Sequence, residues 1–405
     1  MELEVHWAGK GPARIGRLHQ DAFGTVFFQY DPLWRAGAME LSPLYLPNAT
    51  QGSVSTPTPG YGGLHGLFQD ALPDWWGERL MRRQFEAKGI PWQRVTALRK
   101  LACQGTRKMG ALSFLPTLDE DDFNDALLVE ISALVEAARE TVRGETGAVL
   151  NALLRSGMSP GGAQPKALLA FSADFSAISM AEPAPPGFAS WLVKFDLDPG
   201  FPIGRIEAAY ADMARAAGIA MPPTRWLEAG GGTHFMVRRF DRDACGHRLH
   251  LHSYSGLTHT PLRDGLDYGD LMDLARTLTS DHAAVVELYR RAVFNVMAAN
   301  DDDHGRNHAF LMDGQGRWTL APAFDVTLAS YPLATGFRAA RINGRAADIT
   351  RRELLSLGAA QGIDRPAEII AQVTAAVANW PAHAAACGIP PWVSAAVAAE
   401  HRLVA

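Results

Sequence analysis

Between residues 264 and 299 the apolar positions recur at helical spacing, with Val285, Leu288, Tyr289, Val293, Val296 and Met297 on one face, and the pattern stops at Asn300. An acid-rich stretch follows, Asp301-Asp-Asp-His-Gly-Arg-Asn307. Two apolar runs, His308 to Met312 and Trp318 to Leu320, flank Asp313-Gly-Gln-Gly-Arg317, which predicts a β-hairpin whose glycines supply positive φ. Asp325 comes directly after the returning strand. Nearer the N-terminus, Val5 and Trp7 alternate with polar neighbours and Gly24 to Tyr30 is aromatic and β-branched, so residues 1 to about 50 read as β-rich. Gly, Pro, Ser and Thr crowd 52–66, a loop.

Helices are predicted over Leu67–Ala87, where Pro73 falls near a helix start, over Gln93–Cys103, and over Asp125–Val142 with Leu127, Ile131, Leu134, Val135 and Ala138 on one side. Strands are predicted at Ala167–Phe171, Trp191–Phe195 and Phe235–Phe240. Ile206, Tyr210, Met213 and Ala217 mark a helix between the last two. Beyond Tyr331 the chain turns helical again. Thr350-Arg-Arg-Glu353 forms a capping box, Asp364 and Pro366 open a further helix, and the alanine-rich face running to Trp380 reads as core packing. No internal repeat is apparent.

The 405 residues, 47% of them hydrophobic, can bury the cores of two or three subdomains. A net charge of −5 argues against a protein that coats nucleic acid by itself, although Arg82-Arg83 and Arg238-Arg239 leave room for anionic ligands. Three scattered cysteines without Cys-x-x-Cys spacing give neither a disulfide framework nor a zinc site, and fit a reducing compartment. The N-terminus lacks the basic-then-apolar form of a signal peptide, and no apolar run approaches the roughly 18 residues of a membrane span. The expectation is a soluble, cytoplasmic protein with no membrane partner.

A helix, an acidic loop ending in Asn, a hairpin and a further Asp is the order of parts in a kinase catalytic centre. Phosphoryl transfer needs a carboxylate to take the hydroxyl proton, and an amide and a second carboxylate to hold Mg²⁺ against the phosphates. Asp302 and Asn307, with four residues between them, have the spacing of that base and that amide, and Asp325 stands where the second metal ligand belongs. Taken alone, the loop is read equally well as a solvated turn; the later Asp and the pieces before it favour the catalytic reading. Lys194 is a cation inside an apolar strand. It is either an edge lysine with its head in water or the lysine that reaches the α/β-phosphates, and the latter needs a carboxylate such as Glu207 on the next helix. The small residues Gly161, Gly162 and Ala163 would let backbone N–H groups approach an anion, although Gly-Gly before a strand is more often only a turn.

With these pieces in order, the chain resembles the HipA family of bacterial toxin serine/threonine kinases from end to end. Ser159-Pro-Gly-Gly-Ala-Gln-Pro-Lys166 is similar to the family's phosphate loop, Trp191-Leu-Val-Lys194 to its nucleotide-lysine strand, and Val237-Arg-Arg-Phe-Asp241 to its hinge, with Arg238 in place of an acidic residue. Asp302-Asp-His-Gly-Arg-Asn307 matches its Asp-x-His-x-x-Asn loop, Pro322-Ala-Phe-Asp325 its metal motif, and Phe68-Gln-Asp-Ala-Leu-Pro-Asp74 the signature of its N-terminal subdomain.

The resemblance implies an α+β, protein-kinase-like two-lobe fold. It would have a β-rich N-terminal subdomain (1–115), an N-lobe (116–240) and an all-helical C-terminal lobe (241–405). It implies ATP and Mg²⁺ as cofactors and Asp302 as the base. Asn307 and Asp325 would hold the metal. Gly161, Gly162, Ala163, Gln164, Lys166, Lys194 and Glu207 would serve the phosphates. His304 would line the nucleotide site, and the main chain of Arg238, Arg239 and Phe240 would meet the adenine. Ser159 would be an autophosphorylation site whose modification ejects the loop. An aminoacyl-tRNA synthetase would be the substrate, and a HipB-like helix-turn-helix antitoxin, which makes the DNA contact, the partner. A small-molecule or lipid kinase of the same fold, and an inactive pseudokinase scaffold or co-repressor, are the alternatives.

Overall fold

The computed structural model describes residues 1–11, 13–37, 39–57, 61–105, 108–118, 131–143, 164–198, 200–330 and 338–404. Strands β1 (Glu2–Trp7), β2 (Ala13–Gln20), β3 (Val26–Tyr30), β4 (Ser53–Ser55) and β5 (Leu112–Leu115) form an antiparallel sheet in the order β4-β3-β2-β1-β5. The alternation read from the sequence buries Leu3, Val5 and Trp7 on one face. Helices α1 (Pro32–Arg35), α2 (Gly66–Gln69), α3 (Trp75–Ala87) and α4 (Ala97–Gln104) lie between β3 and β5 in the chain. The helix predicted over 67–87 breaks ahead of Asp74, which follows Pro73 and caps α3 by accepting the Gly77 N–H at 2.8 Å. Of the helix predicted at 125–142, the described part is α5 (Ile131–Arg143).

A second antiparallel sheet, β6 (Lys166–Ser172), β7 (Ile178–Ser179), β8 (Phe188–Lys194), β9 (Thr224–Ala229) and β10 (Gly232–Arg238), runs β7-β6-β8-β10-β9, with α6 (Ile203–Ala216) packed on β10. Trp76 and Leu80 of α3 join α5 and this sheet in one apolar cluster, so the N-terminal segment is packed onto the sheet.

The remainder is mostly helical: α7 (Tyr254–Thr258), α8 (Tyr268–Thr279), α9 (His282–Met297), α10 (Arg351–Ala360), α11 (Pro366–Ala378), α12 (Trp380–Ala386) and α13 (Pro391–Glu400). The helix predicted over 264–299 is two helices. Ser280 takes a left-handed φ of +53°, and Asp281 caps α9 by accepting from Ala283 N at 2.9 Å. The lobe expected to be all-helical also carries strands. The predicted hairpin, β13 (Ala309–Met312) with β14 (Trp318–Leu320), gains a third strand, β11 (His250–Ser253), and β12 (Leu266–Asp267) pairs with β15 (Ala340–Arg341). The capping box at Thr350 is formed, whereas α11 starts at Pro366 behind a left-handed Arg365 with no side-chain cap. Among the described residues no helix is long and apolar enough to cross a membrane.

The first segment joins the C-terminal lobe at close quarters. A Cβ on Gly66 would stand 1.8 Å from the Gly256 carbonyl oxygen, so only glycine permits this approach. Gly66 N donates to His259 Nε2 at 2.8 Å, and the His259 ring stacks on Tyr45 at 4.1 Å.

Burial pushes His65, His259 and His401 down to about 4 and His250 and His308 down to about 3. These folded values lie below the unfolded value of about 6.5. The stability they contribute is therefore complete above that pH and is lost as pH falls toward 4. We expect the melting temperature by scanning calorimetry to fall steadily from pH 6.5 to 5; a flat profile would mean that these imidazoles accept protons without cost to the fold.

Candidate active site

The loop 301–307 is fixed at its entry by the end of α9. Ala299 takes a φ of +52°, and Asn300 N returns to Asn295 O at 3.0 Å, which turns the chain out of the helix. The three successive acids then meet different fates. Asp301 is gripped by Arg402 through Nη1 at 2.8 Å and Nη2 at 2.6 Å. Asp303 is fully enclosed; it accepts from the Tyr268 hydroxyl at 2.8 Å, from Ala340 N at 3.2 Å and from the Arg338 guanidinium. Asp302 is half-buried, and among the described residues no side chain donates to its carboxylate.

Burial raises Asp302 above the ordinary carboxylate range; His304 opposes the rise, and Asp325 and Asp303 reinforce it. A carboxylate that is unpaired, partly desolvated and made more basic by its neighbours has the properties of a general base. Its carbonyl oxygen accepts from Asn307 Nδ2 at 2.9 Å, which orients that amide and leaves its oxygen for another partner. Gly305 lets the loop sit on α7: a Cβ there would stand 2.4 Å from Ser255 Oγ, and Ser255 N donates to Gly305 O at 3.1 Å.

Strand β8 sets Lys194 opposite Lys166 of β6 and Phe235 of β10. Its ammonium donates to both Glu207 of α6 and Asp325, which brings together the strand, the helix and the residue that follows the hairpin; Asp325 is a partner that the sequence reading did not assign to Lys194. Burial alone would push Lys194 down, but the two carboxylates outweigh it and hold it above its usual value. Asp325, against the same burial, is held well below the usual carboxylate range by Lys194 and Lys166. Burial keeps Glu207 raised despite the pull of Lys194. Asp325 sits at a left-handed φ of +58°, a conformation Asp adopts more readily than most residues.

Lys166 Nζ lies 2.9 Å from Asp74 Oδ2, and Trp76 Nε1 donates to the Lys166 carbonyl at 3.1 Å. A carboxylate and an indole of the N-terminal segment thus hold the proposed phosphate lysine. Burial raises Asp74 more than Lys166 lowers it. Gln164 donates to Phe195 O at 3.4 Å. Ser159, Gly161, Gly162 and Ala163 lie outside the described residues.

The hinge is more committed than the sequence implied. Arg238 N donates to Pro223 O and Arg239 N to Ser190 O, both at 2.9 Å, so along the main chain of Arg238 to Phe240, expected to meet the adenine, only the Phe240 N–H is left without a partner among the described residues. The Arg239 side chain is structural. It donates to Asp241 Oδ1 at 3.0 Å and Oδ2 at 2.8 Å, to Glu182 at 3.1 Å and to Lys108 O at 3.1 Å. The Arg238 side chain is exposed at the cleft.

Between the sheets and the loop lies a cleft of about 1020 Å³, partly open to solvent. Lys166, Lys194 and Asp325 line one part of it, and Leu192, Phe235, Val237 and Phe324 offer an apolar slot beside the hinge. The N-terminal segment supplies a further wall through Asp70, Lys108 and Gly110, a contribution the sequence reading missed. Asp70 accepts from Ser253 N and Oγ, both at 2.7 Å, and lies 2.7 Å from His252 Nδ1. Asp302, His304 and Asn307 lie just beyond the residues that line this cleft, and His304 is near enough to Asp302 and Asp325 to influence both carboxylates. Asn307 and Asp325 share a smaller cavity of about 320 Å³. An amide oxygen and an ionised carboxylate facing one space fit a hard, oxygen-seeking cation such as Mg²⁺.

The HipA-like C-terminal domain family matches residues 158–380 and the HipA N-terminal domain family residues 3–115. The chain belongs to the HipA family. The Y4mE protein of Sinorhizobium fredii, whose name carries the word kinase, is similar at 29% identity over 85% of this chain and 81% of its own. The Y4dM protein of the same organism is 24% identical over 47% of this chain and 50% of its own. Among solved structures, HipA of the Shewanella oneidensis MR-1 toxin–antitoxin complex with HipB and operator DNA superposes with a TM-score of 0.70 at 20% identity, over 98% of this chain and 95% of that one. The fold is therefore the two-lobe, kinase-like α+β fold of HipA, and at that level the chain is a HipA-like kinase.

Proposed function

We propose that this chain is a Mg-ATP-dependent protein serine/threonine kinase and the toxin of a HipA/HipB-like toxin–antitoxin module, active in the cytoplasm. The observation that carries this reading is the half-buried, unpartnered Asp302 beside Asn307, close enough to Asp325 of the Lys194–Glu207–Asp325 cluster to feel its charge. In this reading Phe240 N and the apolar slot seat the base, and Lys166 and Lys194 hold the phosphates. Asp302 takes the proton of an acceptor hydroxyl as its oxygen attacks the γ-phosphorus and ADP leaves. Mg²⁺, when bound, would be held by Asn307 and Asp325 and would neutralise phosphate charge.

Family membership makes an aminoacyl-tRNA synthetase the favoured acceptor and a HipB-like helix-turn-helix protein the favoured antitoxin, with growth arrest and persistence as consequences. Ser159 is the proposed autophosphorylation site. A phosphate there adds roughly −1.5 to −2 charges to a loop meant for anions, which favours its ejection and weak ATP binding. Residues 1–115, 116–240 and 241–405 are the proposed functional units.

Intact-protein and phosphopeptide mass spectrometry after incubation with Mg-ATP and cytosolic extract tests the reading. Modified Ser159 and a phosphorylated synthetase are expected; a phosphorylated metabolite with no phosphoprotein would shift the substrate to a small molecule. Asp325→Asn should keep the fold and lose Mg²⁺-dependent transfer by about 10²-fold or more. Unchanged activity with an unchanged metal titration would remove Asp325 from the site.

A further inference from the structure

Arg306, the residue before Asn307, belongs to two hollows. It lines the main cleft and also a separate pocket of about 390 Å³ whose other walls include Tyr61 and Gln69 of the N-terminal segment and Ser255 and Leu262 of the C-terminal lobe. Two polar atoms of this pocket are left unanswered. Arg306 Nε and Gln69 Oε1 are buried without a hydrogen bond among the described residues. The Tyr61 hydroxyl stands beside the Arg306 guanidinium and interacts with it, but a neutral phenol leaves that charge uncompensated. No carboxylate among the described residues pairs with Arg306. Asp70 is near enough to sense it, but Ser253 and His252 already occupy the Asp70 oxygens.

A half-buried guanidinium without a counter-ion costs stability unless something supplies the charge. Here the missing complement has a definite form: an anion for Arg306 and an N–H donor for the Gln69 amide oxygen. A peptide segment offers both, a side-chain carboxylate and a backbone N–H. The pocket also adjoins the loop that carries the proposed base four residues before Arg306.

We infer that the pocket beside Arg306 is the subsite for the protein acceptor, and that it selects an Asp or Glu flanking the serine or threonine to be phosphorylated. Arg306 is the specificity-determining residue, and the N-terminal segment forms half of the subsite. The inference rests on the kinase reading above. A phosphate of the nucleotide is the other anion Arg306 could meet, so the test must tell the two apart.

The full chain with Mg-ATP is offered a degenerate serine peptide library randomised on both sides of the acceptor, and ATP affinity is measured in parallel. The wild type is expected to prefer Asp or Glu at a flanking position by about tenfold, the scale of one charge-assisted hydrogen bond. Arg306→Glu should transfer that preference to Lys or Arg, and Arg306→Gln should erase it; both ratios are independent of how much total activity survives. A wild type without acidic preference, variants that retain it, or a chain that autophosphorylates but ignores every library peptide would each overturn the inference while leaving the kinase reading intact. Weakened ATP affinity in both variants with peptide preference unaltered would assign Arg306 to the nucleotide instead and overturn it equally. Absence of any transfer by the wild type, to itself or to peptide, would defeat the kinase reading and this inference together.

Discussion

Replacing Asp303 with asparagine is expected to cost the fold about 3–5 kcal/mol, the scale of breaking a buried ion pair by removing one partner. Asp303 and Arg338 are both buried, and Arg338 Nε and Nη1 have no partner among the described residues, so the carboxylate is the compensation on which that guanidinium depends. Asparagine could still accept from the Tyr268 hydroxyl, but the Arg338 charge would be stranded. The same carboxylate ties the loop to Ala340, so activity should fall along with stability. Urea denaturation measures this directly: a midpoint near that of the wild type would mean Arg338 is neutralised elsewhere. Asp301→Asn should be milder, since the Arg402 guanidinium it would leave unpaired is about half exposed and can turn to water.

That contrast shows what was legible in the sequence and what was not. The helix ending at Asn300, the hairpin and the Asp302–Asn307 spacing are local patterns, so they could be read from neighbours along the chain. Three adjacent aspartates are chemically identical in sequence; only Arg402 and Arg338, which reach the loop from elsewhere, distinguish the paired acids from the unpaired one. Lys194 was legible as a cation in an apolar strand, and Glu207 as the acid on the following helix. Asp74 was visible within a family signature, but its role was not, because its partner Lys166 lies far along the chain, at the start of β6.

The break at Ser280 escaped notice because the apolar period continues across it and only the backbone reverses. Strand β11 escaped for the opposite reason: His-Leu-His-Ser has no apolar alternation, and its histidines are buried against Leu41 O and Asp70. At the hinge, two adjacent arginines gave no sign that one faces solvent while the other anchors a buried charge network through Asp241 and Glu182.

The central claim is that Asp302 does the chemistry while Lys166, Lys194 and the metal ligands do the binding. These duties are separable, because Asp302 pairs with no side chain of the binding cluster. Asp302→Asn keeps the size of the side chain and loses the charge. ATP affinity should be unchanged, while transfer falls by about 10²–10⁴-fold, the usual scale of general-base catalysis. Because burial and the neighbouring acids raise Asp302 above the usual carboxylate range, wild-type activity should rise with pH on an acid limb displaced upward, and that limb should vanish in the variant. Growth arrest on expression should vanish with it. The decisive measurement is single-turnover transfer of the γ-phosphate with ATP binding recorded on the same samples, for the wild type, Asp302→Asn and Asp301→Asn. The account predicts that all three bind ATP and that only Asp302→Asn fails to transfer. Transfer by Asp302→Asn at the wild-type rate would contradict it.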